Sequence, residues 1–87
     1  MDRILVTGAS GFLGQHLVTK LLNKYEDAEI ITLSRDETLI SRLMVGSPND
    51  RLHPIMGDIR DSEIVVYALK DVDVVIHLAA MKHIDPL

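Results

Sequence analysis

The chain contains no cysteine. That rules out disulfide bridges, a thiolate metal site and a cysteine nucleophile, and it fits a reducing, cytoplasmic setting. A long apolar run is missing too: the longest, residues 74–81, is interrupted by His77 and falls far short of the roughly 20 residues a membrane-crossing helix needs. No membrane span is expected. Met1 leads almost at once into Ile4-Leu5-Val6 and a glycine turn, not into a basic segment followed by a long apolar region, so no secretory leader is expected. Repeats, low-complexity tracts and linkers are absent. Finally, none of the 13 acidic residues falls within positions 3–25, a stretch that carries Arg3, Lys20 and Lys24. In a chain of net charge -4, the overall acidity argues against bulk nucleic-acid binding, while the local deficit leaves room for an anion.

What is present suits one small folded domain. Of the 87 residues, 47% are hydrophobic and 25% charged, far from the composition of a disordered chain and enough for a modest core. Ile4-Leu5-Val6 reads as a buried parallel strand running into Thr7-Gly8. A helix over 11–25 follows, with Leu13, Leu17 and Leu21 as its apolar line, Val18, Leu22 and Tyr25 beside them, and Ser10 at the N-cap position. Glu29-Ile30-Ile31-Thr32-Leu33 gives a second strand, and Asp36-Glu37 opens a short helix stopped by Gly46 and Pro48. A third strand over 52–56 contains Pro54, which has no amide proton to give a neighbour and so belongs at a sheet edge. Asp61-Ser62-Glu63 begins a further helix that buries Ile64, Val65, Ala68 and Leu69, and 72–80 forms the fourth strand. Right-handed crossovers between parallel strands then predict a doubly wound Rossmann-type α/β sheet of order three, two, one, four. Such a sheet normally continues with further strands. Residues 1–87 are therefore expected to be the N-terminal part of a larger nucleotide-binding domain.

The glycines at 8, 11 and 14, set between a strand and an amphipathic helix, carry the chemistry. A helix N-terminus offers unpaired amides and partial positive charge, which suits a pyrophosphate. Gly8 permits the sharp turn, Gly11 keeps a Cβ away from the phosphates, and Gly14 lets the helix approach the sheet, leaving the amides of Phe12 and Leu13 as donors. The spacing departs from G-x-G-x-x-G, with Ser10 between glycines three apart. At the end of the second strand, Ser34-Arg35-Asp36 stands where a cofactor's adenosine ribose is read. Arg35 and the Ser34 hydroxyl suit a 2′-phosphate and hence NADP. Asp36 either caps a helix or meets a ribose hydroxyl, and a plain solvated role for Arg35 stays open. Asp58, followed by Ile59, either accepts from an adenine amino group or caps the helix after it, a task for which Asp61 is better placed. Leu78, Ala79 and Ala80 end the fourth strand where strand order reverses, leaving room for a ligand's ribose. Lys82 and His83 beyond them either reach a ligand or belong to a solvated loop. His77 reads as a satisfied core histidine, and His16 and His53 show no metal-ligand spacing.

Three motifs, 6–14 (VTGASGFLG), 57–61 (GDIRD) and 77–83 (HLAAMKH), resemble the extended short-chain dehydrogenase/reductase family over nearly the whole chain. Ser34-Arg35-Asp36-Glu37 with 79–83 is most similar to its polysaccharide-biosynthesis branch, the nucleotide-sugar 4,6-dehydratases acting on UDP-N-acetylglucosamine. The resemblance implies a tightly held NADP that takes a hydride from sugar C4, permits loss of water across C5 and C6, and returns the hydride. It also implies that Ser10, Gly11, Phe12 and Leu13 contact the pyrophosphate, Ser34, Arg35 and Asp36 the phosphorylated ribose, and Asp58 and Ile59 the adenine. Leu78, Ala79, Ala80 and Lys82 would then flank the nicotinamide. The branch often carries another basic residue just after Ser-Arg-Asp-Glu, where this chain has Thr38-Leu39-Ile40, and that departure leaves NAD open.

The family's Tyr-x-x-x-Lys has no counterpart: four residues past Tyr25 stands Glu29, and four past Tyr67 stands Asp71. No catalytic residue and no metal ligand is therefore assigned. A non-catalytic dinucleotide-binding sensor or interaction module is the alternative reading, and a methyltransferase with a similar sheet fits the glycine spacing less well. A homo-oligomer is expected, since a fourth strand at the sheet edge presents unpaired backbone groups to a second copy. Acid/base catalysis needs a titratable group placed at the reacting carbon, so the 87-residue chain alone is expected to turn over no UDP-sugar. Product detected by chromatography after prolonged incubation with purified chain and NADP would overturn that.

Overall fold

A computed structural model describes residues 2–8, 11–35 and 50–78, with the backbone alone at Phe12. The elements are β1 (Arg3–Thr7), α1 (Phe12–Lys24), β2 (Glu29–Ser34), β3 (Leu52–Met56), α2 (Ser62–Ala68) and β4 (Val74–His77). All strand pairs are parallel, in the order β3-β2-β1-β4, as the sequence pattern predicts for a Rossmann-type fold. The helix expected after Asp36 lies outside the described residues. Among the described residues, no helix is long and apolar enough to cross a membrane.

Strands alternate their side chains between two faces, and here both faces are covered, which is why β1 and β2 are nearly continuous apolar runs. Ile4, Val6, Ile30 and Leu52 pack with Val18, Leu22 and Ala28 on the α1 side. Leu5, Ile31 and Leu33 pack with Ala68 on the α2 side, where Ile64 and Val65 join them. Pro54 sits opposite Thr32 on the outermost strand, where its missing amide proton leaves no neighbour short of a bond.

Four side chains sit differently from the sequence expectation, among them Tyr25, which is the C-cap of α1 and 44% exposed. The buried line of α1 is Gly14, Val18 and Leu22, while Leu13 is 63% exposed. Gly14 is buried, so the buried face of α1 runs one residue on from the expected line and Leu13 stands outside it in the first turn. Leu69 is 40% exposed because α2 ends at Ala68 and Leu69 is its C-cap. His77 is exposed on β4, the last strand of the sheet, although its ring Nδ1 is paired with the Thr7 hydroxyl.

Arg51 holds the end of α1 to the start of β3. Its Nη1 donates to the carbonyls of Tyr25 at 2.7 Å and Ala28 at 2.9 Å, and its Nη2 to that of Leu22 at 2.7 Å. These carbonyls lie at and just beyond the helix C-terminus, where a cation also meets the negative end of the helix dipole. Nothing in the local pattern around Arg51 announces this, since its partners are 23 to 29 residues away. Arg51→Met, which keeps the stem but loses three charge-assisted bonds, is expected to lower unfolding free energy by about 2 kcal/mol. Urea denaturation followed by circular dichroism checks it.

Candidate functional site

Because all four strands run the same way, their carboxyl ends share one edge, and backbone bonds stitch the loops that leave it. The Gly57 amide donates to the Ser34 carbonyl at 2.9 Å, the Gly8 amide to the Leu33 carbonyl at 3.3 Å, and the Leu78 amide to the Thr7 carbonyl at 3.0 Å. These bonds line up Gly57 and Asp58, Ser34 and Arg35, Gly8 and Gly11, and Leu78 along the edge. With neighbouring strands about 4.8 Å apart, four strand ends span roughly 14 Å, the scale of an extended dinucleotide.

At the centre, Gly8 has φ 75°, a left-handed conformation that a Cβ would strain by about 1–2 kcal/mol. The chain reverses there, and the Gly11 amide returns to the Gly8 carbonyl at 3.4 Å. Gly11 is the N-cap of α1, with extended φ -73° and ψ 169° and no side-chain cap bond. The expected cap, Ser10, is thus displaced by a residue that has no side chain, and Ser10 itself lies outside the described residues. The Gln15 amide makes the bond to Gly11, so the amides of Phe12, Leu13 and Gly14 precede the helical ladder. The first turn contains no acidic residue, so nothing within the turn itself offsets its positive end. Among the described residues, a Cβ built on Gly11 would meet only the Gly8 carbonyl oxygen within 4 Å, at 3.9 Å. Packing among the described residues therefore does not require the bare position. A turn whose free amides precede the helical ladder, and whose Gly8 and Gly11 carry no side chain, fits a pyrophosphate.

Outward along the edge, Ser34 is buried, whereas Arg35 is 71% exposed and places Nη1 3.6 Å from Asp58 Oδ2. Asp58 is held by its near neighbour Arg60: Oδ1 accepts from the Arg60 amide at 2.8 Å and Nε at 3.2 Å, and Oδ2 from Nη2 at 2.8 Å. Capping of α2 falls to Asp61, whose Oδ1 accepts from the amides of Glu63 at 3.0 Å and Ile64 at 3.5 Å. Asp58 is thereby free of that task. Ile59 is exposed beside it, and Leu78 at the far end packs against the α1-side core. The structure thus brings Gly8, Gly11, Leu13, Gly14, Ser34, Arg35, Asp58, Ile59 and Leu78 to one edge, together with the Phe12 backbone. Asp36, Ala79, Ala80 and Lys82 lie outside the described residues. Arg60 was not anticipated, although its position two residues after Asp58, across a turn, was a usable signal.

Hydrogen bonds from the Arg60 side chain, then from its amide, hold the Asp58 carboxyl below its ordinary value of 3.8, at about 2; partial desolvation opposes them, and the charges of Arg60 and Arg35 add to them. Among the described residues no cluster of His, Asp or Glu could hold a metal ion.

The polysaccharide biosynthesis protein family matches residues 4–87. The chain is 40% identical over 81 residues to an inverting UDP-N-acetylglucosamine 4,6-dehydratase of Campylobacter jejuni, covering 93% of this chain and 24% of that protein. Among solved structures, a dTDP-glucose 4,6-dehydratase of Bacillus anthracis in complex with NAD superposes with TM-score 0.81 at 27% identity, over 92% of this chain and 27% of that one. A wide-type short-chain dehydrogenase/reductase of Veillonella parvula in complex with NADP gives 0.71 at 26%, over 87% and 34%. The chain spans about a quarter of the length of the curated relatives it matches.

A carboxylate with a depressed pKa adds stability above its ordinary pKa and loses that contribution as pH falls through the folded value. The Asp58 share is therefore expected to be complete above about pH 4 and to vanish toward pH 2. Asp58→Asn should flatten the acid limb of the stability curve in that window, as read by urea midpoints at stepped pH.

Proposed function

This chain belongs to the polysaccharide biosynthesis protein family, and from that premise we propose that it is the NADP-binding portion of a nucleotide-sugar 4,6-dehydratase or epimerase. UDP-N-acetylglucosamine-like sugars are the substrates of the whole protein in this reading, which also places it in the cytoplasm as a homo-oligomer. The observation that carries the proposal is the bare, amide-lined turn at Gly8 and Gly11 ahead of α1, at the carboxyl edge of a parallel sheet. The Campylobacter relative named above supports the substrate class.

In this reading the amides of Phe12 and Leu13, with Ser10 and Gly11, hold the pyrophosphate, Gly8 permits the turn, and Gly14 lets the helix pack closely on the sheet. Ser34, Arg35 and Asp36 take the adenosine ribose and its 2′-phosphate, and Asp58 and Ile59 take the adenine. Leu78, Ala79, Ala80 and Lys82 border the nicotinamide side, near the reversal between β1 and β4 where open α/β sheets bind ligands. Bound there, the nicotinamide would supply a hydride acceptor. The chain's own residues bind and orient, and the sequence has no Tyr-x-x-x-Lys pair to move a proton. An exposed Arg35 at the end of β2 favours NADP; NAD remains the rival cofactor.

Amide resonances of residues 8–14 are expected to shift on titration with NADPH, and silence with both NADPH and NADH would sink the proposal. Gly11→Ala separates binding from folding. Its Cβ meets only ordinary contact inside the chain, so unfolding free energy should stay within about 1 kcal/mol of the parent. Cofactor affinity should nevertheless fall about tenfold or more, as the methyl group intrudes where the phosphates approach.

A further inference from the structure

Two charges of opposite sign share the outer end of the edge, and their arrangement is uneven. The Asp58 carboxylate receives its hydrogen bonds from Arg60, three of them at 2.8 to 3.2 Å on separate donor groups. Arg35 stands off at 3.6 Å, beyond hydrogen-bond length. Arg35 is thus attracted to Asp58 without being bonded to it. Arg60 itself is 79% exposed, and among the described residues Asp58 is the only ion-pair partner it shows.

Resting on the reading that this edge holds a dinucleotide, we propose that Arg60 is a positioning residue for cofactor choice: by occupying Asp58 it leaves Arg35 free for a 2′-phosphate and cancels the carboxylate's repulsion of that group. Without Arg60, Asp58 would be an unmatched negative charge facing Arg35. It would draw the Arg35 guanidinium into a bidentate pair, the geometry that fork favours, and it would oppose a dianionic phosphate arriving at the same place. NAD carries no such phosphate and would feel neither effect. Arg60 therefore acts on the ratio of the two affinities. Its hold on Asp58 also fixes the carboxylate's orientation toward the adenine, which bears on both cofactors alike.

The test measures dissociation constants of NADP and NAD by calorimetry for the parent chain, Arg60→Gln, Arg60→Lys, Asp58→Asn and the Arg60→Gln/Asp58→Asn double variant. Arg60→Gln should lower the NADP-to-NAD affinity ratio about fivefold, the scale of an exposed ion pair. Arg60→Lys, which keeps the charge, should retain most of the ratio. The double variant should recover it, because no carboxylate remains to be offset, even though both affinities drop with the loss of the adenine contact. An unchanged ratio in Arg60→Gln, or a double variant as impaired as the single one, overturns the inference while leaving dinucleotide binding intact. A parent chain that binds neither cofactor overturns the underlying reading as well.

Discussion

Hydrogen bonds between parallel strands of unequal position in the chain decide where everything else in this protein lies. β1 pairs with β2 on one side and β4 on the other, so the residue following each strand emerges on the same edge. The ladder does not stop at the strands: Gly8, Gly57 and Leu78 each extend it by one bond as the chain leaves. Loops tied down at their first residue start from fixed positions. The glycine turn, the adjacent arginine and the Asp58 carboxylate are thereby arranged in a row with no contact among their own side chains being required.

Within that row the electrostatics divide into two regimes. The first turn of α1 carries no acidic residue, and its attraction for an anion comes from backbone amides and the helix dipole, which no substitution of a neighbouring side chain removes. Around Asp58 the field is made of mobile side chains, an acid between two arginines. In the proposed reading, the amide cradle would take the group common to both cofactors and Arg35 the one that tells them apart. Side chains could then change without disturbing the turn.

Much of this was legible in residue order. Alternation of strands and helices, the apolar runs of β1 and β2, and the proline in β3 together predicted the sheet order, since handedness leaves few topologies. The turn at Gly8 and the capping by Asp61 were equally local. Contacts of long range were not: Arg51 meets carbonyls 23 to 29 residues away, and Arg35, just past β2, approaches Asp58, just past the neighbouring β3. The rotation of α1 that exposes Leu13 also escaped the four-residue repeat, because Leu13 and Gly14 are adjacent and only the sheet decides which of them faces it.

The sequence by itself determined that the chain would form parallel strands with crossover helices and would turn on glycine before a helix free of acidic residues. Those outcomes follow from local sterics, periodicity and backbone chemistry. Only the tertiary structure decided which charges share the edge and how far apart they stand, with Asp58 gripped by Arg60 and merely approached by Arg35. The reason is physical: the reach of a flexible arginine is set by the spacing of strands far apart in the chain, a quantity that residue order does not contain.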